Sequence, residues 1–198
     1  MTTLAIALTE GFADWETALM AATARTELGF TIVTATPGAT PVTSMGGLRV
    51  TPDAAVEDLD PARFDGLVIC GGMIWESDAA PDFGGTIRAF AASGRLVAGI
   101  CAATLSLARA GVLDDAAHTS NGLEFLETAG PAYRGKAGYR QTPAAVRDGK
   151  IVTAAGTAPV SFMMEILAAL GYGNADLDEY AAMFAAEHQP PVTAPGSP

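Results

Sequence analysis

Arg95-Leu96-Val97-Ala98-Gly99-Ile100-Cys101-Ala102-Ala103-Thr104-Leu105-Ser106-Leu107-Ala108 is the stretch that decides the fold. Leu96 to Ile100 reads as a short buried strand that runs straight into a helical pattern from Ala102 to Ala110. Cys101 stands at the junction, the cysteine counterpart of the Gly-x-Ser-x-Gly nucleophile elbow. Gly99, Ala102 and Ala103 are small, as expected where a tight turn leaves no room for bulk. The unpaired N–H groups and positive dipole end of the following helix favour thiolate over thiol. Lowering a pKa by one unit corresponds to about 1.4 kcal/mol of preferential stabilisation. The plain alternative is a structural cysteine, since free cysteine is among the most buried residue types.

Working outward, apolar runs alternate with helical patterns, which predicts a mostly parallel sheet covered on both faces. Leu4 to Leu8 reads as the first strand and Phe30 to Ala35 as the second. Between them Asp14 caps a helix from about Trp15 to Leu28, ended by Gly29. Val42 to Val50 reads as a small hairpin around Gly46-Gly47, Gly66 to Cys70 as a strong strand, and Phe83 to Ala92 as a helix. His118 to Ser120 is a candidate strand end before a helix from Leu123 to Ala129. Asp148-Gly149 marks a hairpin within Ala145 to Ala155. Helices follow at Val160 to Leu170 and Leu177 to Ala186. The reading is one domain over residues 1–188, with a Pro-rich tail, 189–198, expected to be disordered.

The chain has 198 residues, 49% hydrophobic and 17% charged, which excludes the disordered class. Eleven basic residues against 22 acidic ones give a formal charge of −11. With no Lys/Arg cluster, nucleic acid and anionic membrane are excluded as expected partners. Met1 to Leu8 lacks the basic start of a signal peptide, and no apolar run reaches membrane-span length. Two cysteines, Cys70 and Cys101, make no disulfide framework, so a reducing cytoplasm is expected. His118 and His188 are the only histidines, so no His-rich metal site is expected. No phosphate-binding loop or dinucleotide fingerprint occurs, and no cofactor is expected.

Glu10-Gly-Phe-Ala-Asp-Trp-Glu16, Leu67-Val-Ile-Cys-Gly-Gly72, Ala98-Gly-Ile-Cys-Ala-Ala-Thr104, Ala110-Gly-Val-Leu-Asp114 and Ile151-Val-Thr-Ala-Ala-Gly-Thr157 follow one another in a specific order. In that order and spacing the sequence resembles the DJ-1/PfpI superfamily, with its class I glutamine amidotransferase-like fold. The resemblance implies a flavodoxin-like three-layer sandwich, usually a homodimer, acting on a small-molecule substrate. It implies that Cys101 contacts a glutamate from the loop after strand one, and Glu16 holds that place. A carboxyl buried beside a thiol should have a raised pKa and could pass a proton to sulfur or substrate. Read alone, Glu16 is a first-turn carboxylate favouring the helix dipole. Gly71 and Gly72 match a pair whose backbone N–H, with that of Ala102, would form an oxyanion hole; read alone, they end a strand.

The departures matter equally. Ala102 stands where protease-like members have a histidine, which argues against peptidase activity. Asn121 falls near the place of another family histidine; it could orient substrate or water, or cap the helix at Leu123. His118 reads as packed within its strand or at its edge. Cys70 replaces a proline common in relatives, and is either an apolar filler or a resolving thiol for oxidised Cys101. Phe12, Trp15 and Trp75 cluster by sequence near the expected pocket mouth, Trp75 as a pocket wall or a dimer contact.

These parts fit a cysteine-dependent hydrolase or glyoxalase-like enzyme, with Cys101 as nucleophile and Glu16 as proton partner. They also fit a stress-response protein whose output is Cys101 oxidation. An amidotransferase-like protein is the third reading, but its C-terminal His-x-Glu is missing: Gln189 and Pro190 follow His188.

Overall fold

Alternation along the first strand, β1 (Thr3–Ala7), sets up the layers. Leu4 and Ile6 face one apolar core and Ala5 and Ala7 the other, as the two-residue period of a strand requires. In the computed structural model of the chain, which describes residues 1–186, the helix α1 (Asp14–Thr26) follows and then the strand β2 (Thr31–Thr36). A two-stranded antiparallel hairpin comes next, β3 (Val42–Thr43) and β4 (Arg49–Val50), and then the short β5 (Ala54–Ala55). Strand β6 (Gly66–Ile69), helix α2 (Gly84–Ala92) and strand β7 (Leu96–Ile100) lead to Cys101. A 3-10 turn, Cys101–Ala103, opens into α3 (Thr104–Arg109), and α4 (Leu123–Glu127) lies beyond it. The chain returns through the hairpin β8 (Val146–Asp148) and β9 (Ile151–Ala154) to α5 (Pro159–Ala169) and α6 (Ala175–Ala186).

The central sheet has seven strands in the order β5-β2-β1-β6-β7-β9-β8, and only β8 runs antiparallel to its neighbour. Met20 from α1 and Phe162, Met163, Ile166 and Leu167 from α5 cover one face. Ile87 and Phe90 from α2, with Leu105 and Leu107 from α3, cover the other. Each such side chain, fully buried, contributes about 1.5–3 kcal/mol. This is the mostly parallel three-layer sandwich of flavodoxin-like type that the sequence implied.

Local departures have physical causes. Asp14 is not the cap of α1; Ala13 takes that position and Asp14 is the first helical residue. Its carboxylate instead accepts the Ser44 hydroxyl and, at 2.8 Å, the Gly46 N–H, so it pins the β3–β4 turn. His118 joins no strand and makes one isolated bridge, to Tyr139. The tail expected at 189–198 lies outside the described residues. Among those residues, no helix is long and apolar enough to cross a membrane.

Candidate functional site

The carboxyl ends of β1, β6, β7 and β9 reach the same edge of the sheet, where open α/β sheets bind ligands. They deliver Glu16, the Cys70–Gly72 turn, Cys101 and Gly156 to one place. Cys101 has φ +57°, a left-handed backbone that a β-substituted residue adopts at a cost of about 1–3 kcal/mol. The turn is held by Thr104, whose hydroxyl donates to the Cys101 carbonyl at 2.6 Å. Ser120 Oγ lies 2.7 Å from the same hydroxyl and ties the 120–121 segment to the elbow. Gly99 is small for a reason other than the turn. A Cβ there would sit 2.8 Å from Leu107 Cδ1, so the glycine lets α3 pack onto β7.

Glu16 is 1% exposed. Its Oε2 accepts the Gly71 N–H at 2.7 Å, while its Oε1 is buried without a partner among the described residues. Gly71 and Gly156 line the gap between this carboxyl and the thiol. A Cβ on Gly156 would lie 2.8 Å from Cys101 Sγ and 3.1 Å from Glu16 Oε1. One on Gly71 would collide with Glu16 Oε2 and lie 2.7 Å from Cys101 Cβ. Burial pushes the Glu16 carboxyl up to about 7, against the opposing effect of the Cys101 side chain.

Sequence alone predicts a depressed Cys101 pKa, and the structure corrects this. Burial pushes the half-buried thiol up to about 11. A hydrogen bond from Asn121 opposes the rise and the Glu16 charge adds to it. The helix end is outweighed because the sulfur sits between two apolar cores, in contact with both.

Asn121 lies at the sulfur. Its Nδ2 donates to Cys101 Sγ at 3.3 Å and its Oδ1 accepts the Gly156 N–H at 3.0 Å. It does not cap α4: Gly122 is the capping residue and no side chain bonds there. Trp15 is half exposed at the rim and donates its indole N–H to the Gly156 carbonyl at 3.0 Å.

Trp75 is neither a pocket wall nor a surface contact. It is fully buried, edge-on to Phe83, and its indole N–H donates to the Cys70 carbonyl at 3.0 Å. The 3-10 turn Met73–Glu76 points the ring inward, where a polar atom needs a partner. Phe12 is likewise taken into the core, its backbone bridged to Gly72. The Gly71 N–H, expected as an oxyanion donor, is occupied by Glu16. The Gly72 N–H takes no partner among the described residues.

Cys70 is buried, with burial and the Glu16 charge pushing its thiol up to about 12. Its sulfur is held by the Thr17 hydroxyl at 3.6 Å and the Ala13 carbonyl at 3.4 Å, which suits a packed filler. His118 is fully buried elsewhere, with Nδ1 2.7 Å from the Ala116 carbonyl and Nε2 2.8 Å from the Tyr133 hydroxyl.

A cavity of about 300 Å³ opens beside the site, lined by Ser120, Asn121, Gln141, Thr142 and Thr157 among others. A larger one of about 790 Å³ between α5 and α6 contains none of Glu16, Cys101 and Asn121. Among the described residues, no cluster of three or more His, Cys, Asp or Glu could hold a metal ion. Gly156 is a site residue that the sequence does not single out. Its one sequence signal is a glycine just past the end of the parallel strand β9.

Comparison with known proteins places this arrangement. The model of the DJ-1/PfpI family matches residues 2–169. A solved DJ-1 superfamily protein of Agrobacterium tumefaciens is 56% identical, with a TM-score of 0.92 over 96% of this chain and 100% of that one. A ThiJ/PfpI family protein of Bacillus anthracis is 30% identical, with a TM-score of 0.85 over 94% of this chain and 92% of that one. Among curated proteins, the uncharacterized protease YoaZ of Bacillus subtilis is 35% identical over 126 residues. That match covers 64% of this chain and spans only 60% of that protein's length. A family match along most of the chain, joined to a solved relative that shares more than half its residues, makes this chain a member of the DJ-1/PfpI family.

Proposed function

We propose that the chain is a cysteine-dependent enzyme acting on a small electrophile, with Cys101 as nucleophile and Glu16 as proton partner. One observation carries this reading: a half-buried thiol and a fully buried carboxyl with one unpartnered oxygen border the same gap at the strand ends. The thiol proton passes to the Glu16 carboxylate, and the sulfur's electron pair attacks the substrate carbonyl carbon. The carbonyl π pair moves onto oxygen, where the Gly72 and Ala102 N–H groups would receive it. Glu16 then gives the proton to that oxygen, leaving a hemithioacetal, or to the departing nitrogen or oxygen of an amide or ester as the adduct collapses to a thioester that water cleaves. Hydrolysis of a small amide or ester, or glyoxalase-like chemistry on a 2-oxoaldehyde, uses the same parts.

A peptidase reading, suggested by the name of the B. subtilis relative, lacks support at the thiol. The one histidine within the described residues, His118, is engaged by Ala116 and Tyr133 instead. Turnover of methylglyoxal and a panel of small amides and esters tests the proposal. Activity that disappears in Cys101→Ser supports it; equal activity in both proteins sinks it.

A second reading, oxidation of Cys101 as the output, is favoured by the Asn121 N–H already aimed at the sulfur. Such a donor would stabilise a sulfinate. Rapid sulfinate formation under mild peroxide without turnover distinguishes the two. We further propose a homodimer and a cytoplasmic setting. The exposed Trp15, Met45, Leu48 and Met73 and the two free thiols support these, and light scattering tests the first.

A further inference from the structure

Asn121 makes two hydrogen bonds whose polarity is fixed by one of its partners. The Gly156 N–H can only donate, so the carboxamide oxygen must face it. The NH₂ group must then face Cys101 Sγ, which makes the sulfur an acceptor on that side. A proton on the sulfur therefore has to point elsewhere. Across the gap lies Glu16, with Oε2 bonded to the Gly71 N–H and Oε1 buried without a partner. Oε1 and Sγ both border the space left by the missing Gly156 side chain.

We propose that Asn121 is a catalytic residue that directs the Cys101 proton to Glu16 Oε1 and holds the thiolate that results. In this step the S–H bond breaks and an O–H bond forms on the ionised carboxylate. The electron pair stays on sulfur, so one negative charge moves from Glu16 to Cys101 and no other reactant is needed. The inference rests on the Cys101–Glu16 reading above. The anchor is braced from both sides: Trp15 holds the Gly156 carbonyl, and Ser120 is tied to Thr104. The titratable groups facing the sulfur are Glu16 from α1 and Cys70 at the end of β6. Ala155, Gly156 and Thr157 contribute none, and neither do Ser120, Asn121 and Gly122.

The test is the pH profile of Cys101 alkylation by iodoacetamide, resolved by peptide mass spectrometry on the full chain. Asn121→Asp keeps an acceptor for the Gly156 N–H but offers the sulfur no donor. It should react at least 10-fold more slowly than wild type at pH 7, with its inflection moved up by at least one pH unit. Asn121→Ala, which adds no charge, should lie between the two. If Asn121 does nothing for the sulfur, Asn121→Ala keeps the wild-type profile and only Asn121→Asp is slower, through the charge it places beside the thiolate. That result overturns the proposal.

Glu16→Gln separates this inference from the reading beneath it. A wild-type profile unchanged by Glu16→Gln removes the Cys101–Glu16 pair itself. A profile that depends on Glu16 but not on Asn121→Ala removes only the role of Asn121. Should Asn121→Asp fail to fold, the infrared S–H band of Cys101, assigned by its loss in Cys101→Ser, decides. A band displaced in wild type and less displaced in Asn121→Ala supports the proposal; a band that Asn121→Ala leaves unchanged overturns it, and one that Glu16→Gln leaves unchanged removes the Cys101–Glu16 pair.

Discussion

Trp75 and Glu16 hold opposite ends of a single peptide unit. The Trp75 indole N–H donates to the Cys70 carbonyl at 3.0 Å, and the Gly71 N–H of the same unit donates to Glu16 Oε2 at 2.7 Å. A residue buried in the far core therefore fixes the group that aims the carboxyl. Trp75→Phe keeps most of the apolar volume but leaves the Cys70 carbonyl unpaired, which costs about 1–3 kcal/mol. The denaturation midpoint should fall accordingly, and Cys101 alkylation should slow several-fold. A stability loss with unchanged thiol reactivity would mean the peptide unit is held without the indole.

Stability should fall as pH rises through neutrality, because Glu16 binds its proton more tightly in the folded chain. Its folded pKa is about 7 against an ordinary value of 4.5. The contribution is fully present below the unfolded value and is lost as pH climbs through the folded one, a change of about 3 kcal/mol. Urea denaturation at pH 4.5 and pH 8 measures this change. In Glu16→Gln, where nothing titrates at this position, the slope over that window should flatten.

Added methyl groups should rank the two site glycines. Gly156→Ala meets side-chain atoms, Cys101 Sγ at 2.8 Å and Glu16 Oε1 at 3.1 Å, which can shift. Gly71→Ala also meets the Ile100 carbonyl oxygen at 2.9 Å, which is held in the sheet. Both should destabilise by about 1–3 kcal/mol, with Gly71→Ala the worse. Denaturant midpoints give the ranking, and equal values would show that Ile100 yields as easily as a side chain.

Asp14 should control the β3–β4 hairpin. Its pKa is lowered, first by the Ser44 hydroxyl, so the bond is present above the ordinary value of 3.8 and weakens as pH falls through the folded one. Asp14→Ala should speed hydrogen exchange at the Gly46 amide and leave the α5 amides unchanged. Equal protection at Gly46 in both proteins would contradict this.

What could be read in the sequence follows from how local each cause is. Leu96–Ile100 is a strand ending on Cys101, as its unbroken apolar run implies. The Asp148-Gly149 hairpin also forms, since a turn is written in adjacent residues. The place of Trp75 is not legible in the sequence, because the residues after Gly71-Gly72 do not say which way a 3-10 turn directs its ring. Asp14 reads as a cap in the sequence because its partners, Ser44 and Gly46, lie far along the chain. Gly156 is hidden in the sequence for the same reason: its constraint exists only once Cys101 and Glu16 have been brought beside it. The rise in the Cys101 pKa needed the three-dimensional packing, since a strand-helix junction reveals the dipole but not the depth of burial.

Cys101 packs against the apolar clusters on both faces of the sheet. A sulfur seated on that seam senses the condition of either layer. Loosening around Met20 and Phe162, or around Phe90 and Leu105, would let water reach it and change how fast it reacts. The rate of thiol labelling thus serves as a built-in gauge of the whole sandwich, able to register damage in a distant helix before the chain unfolds.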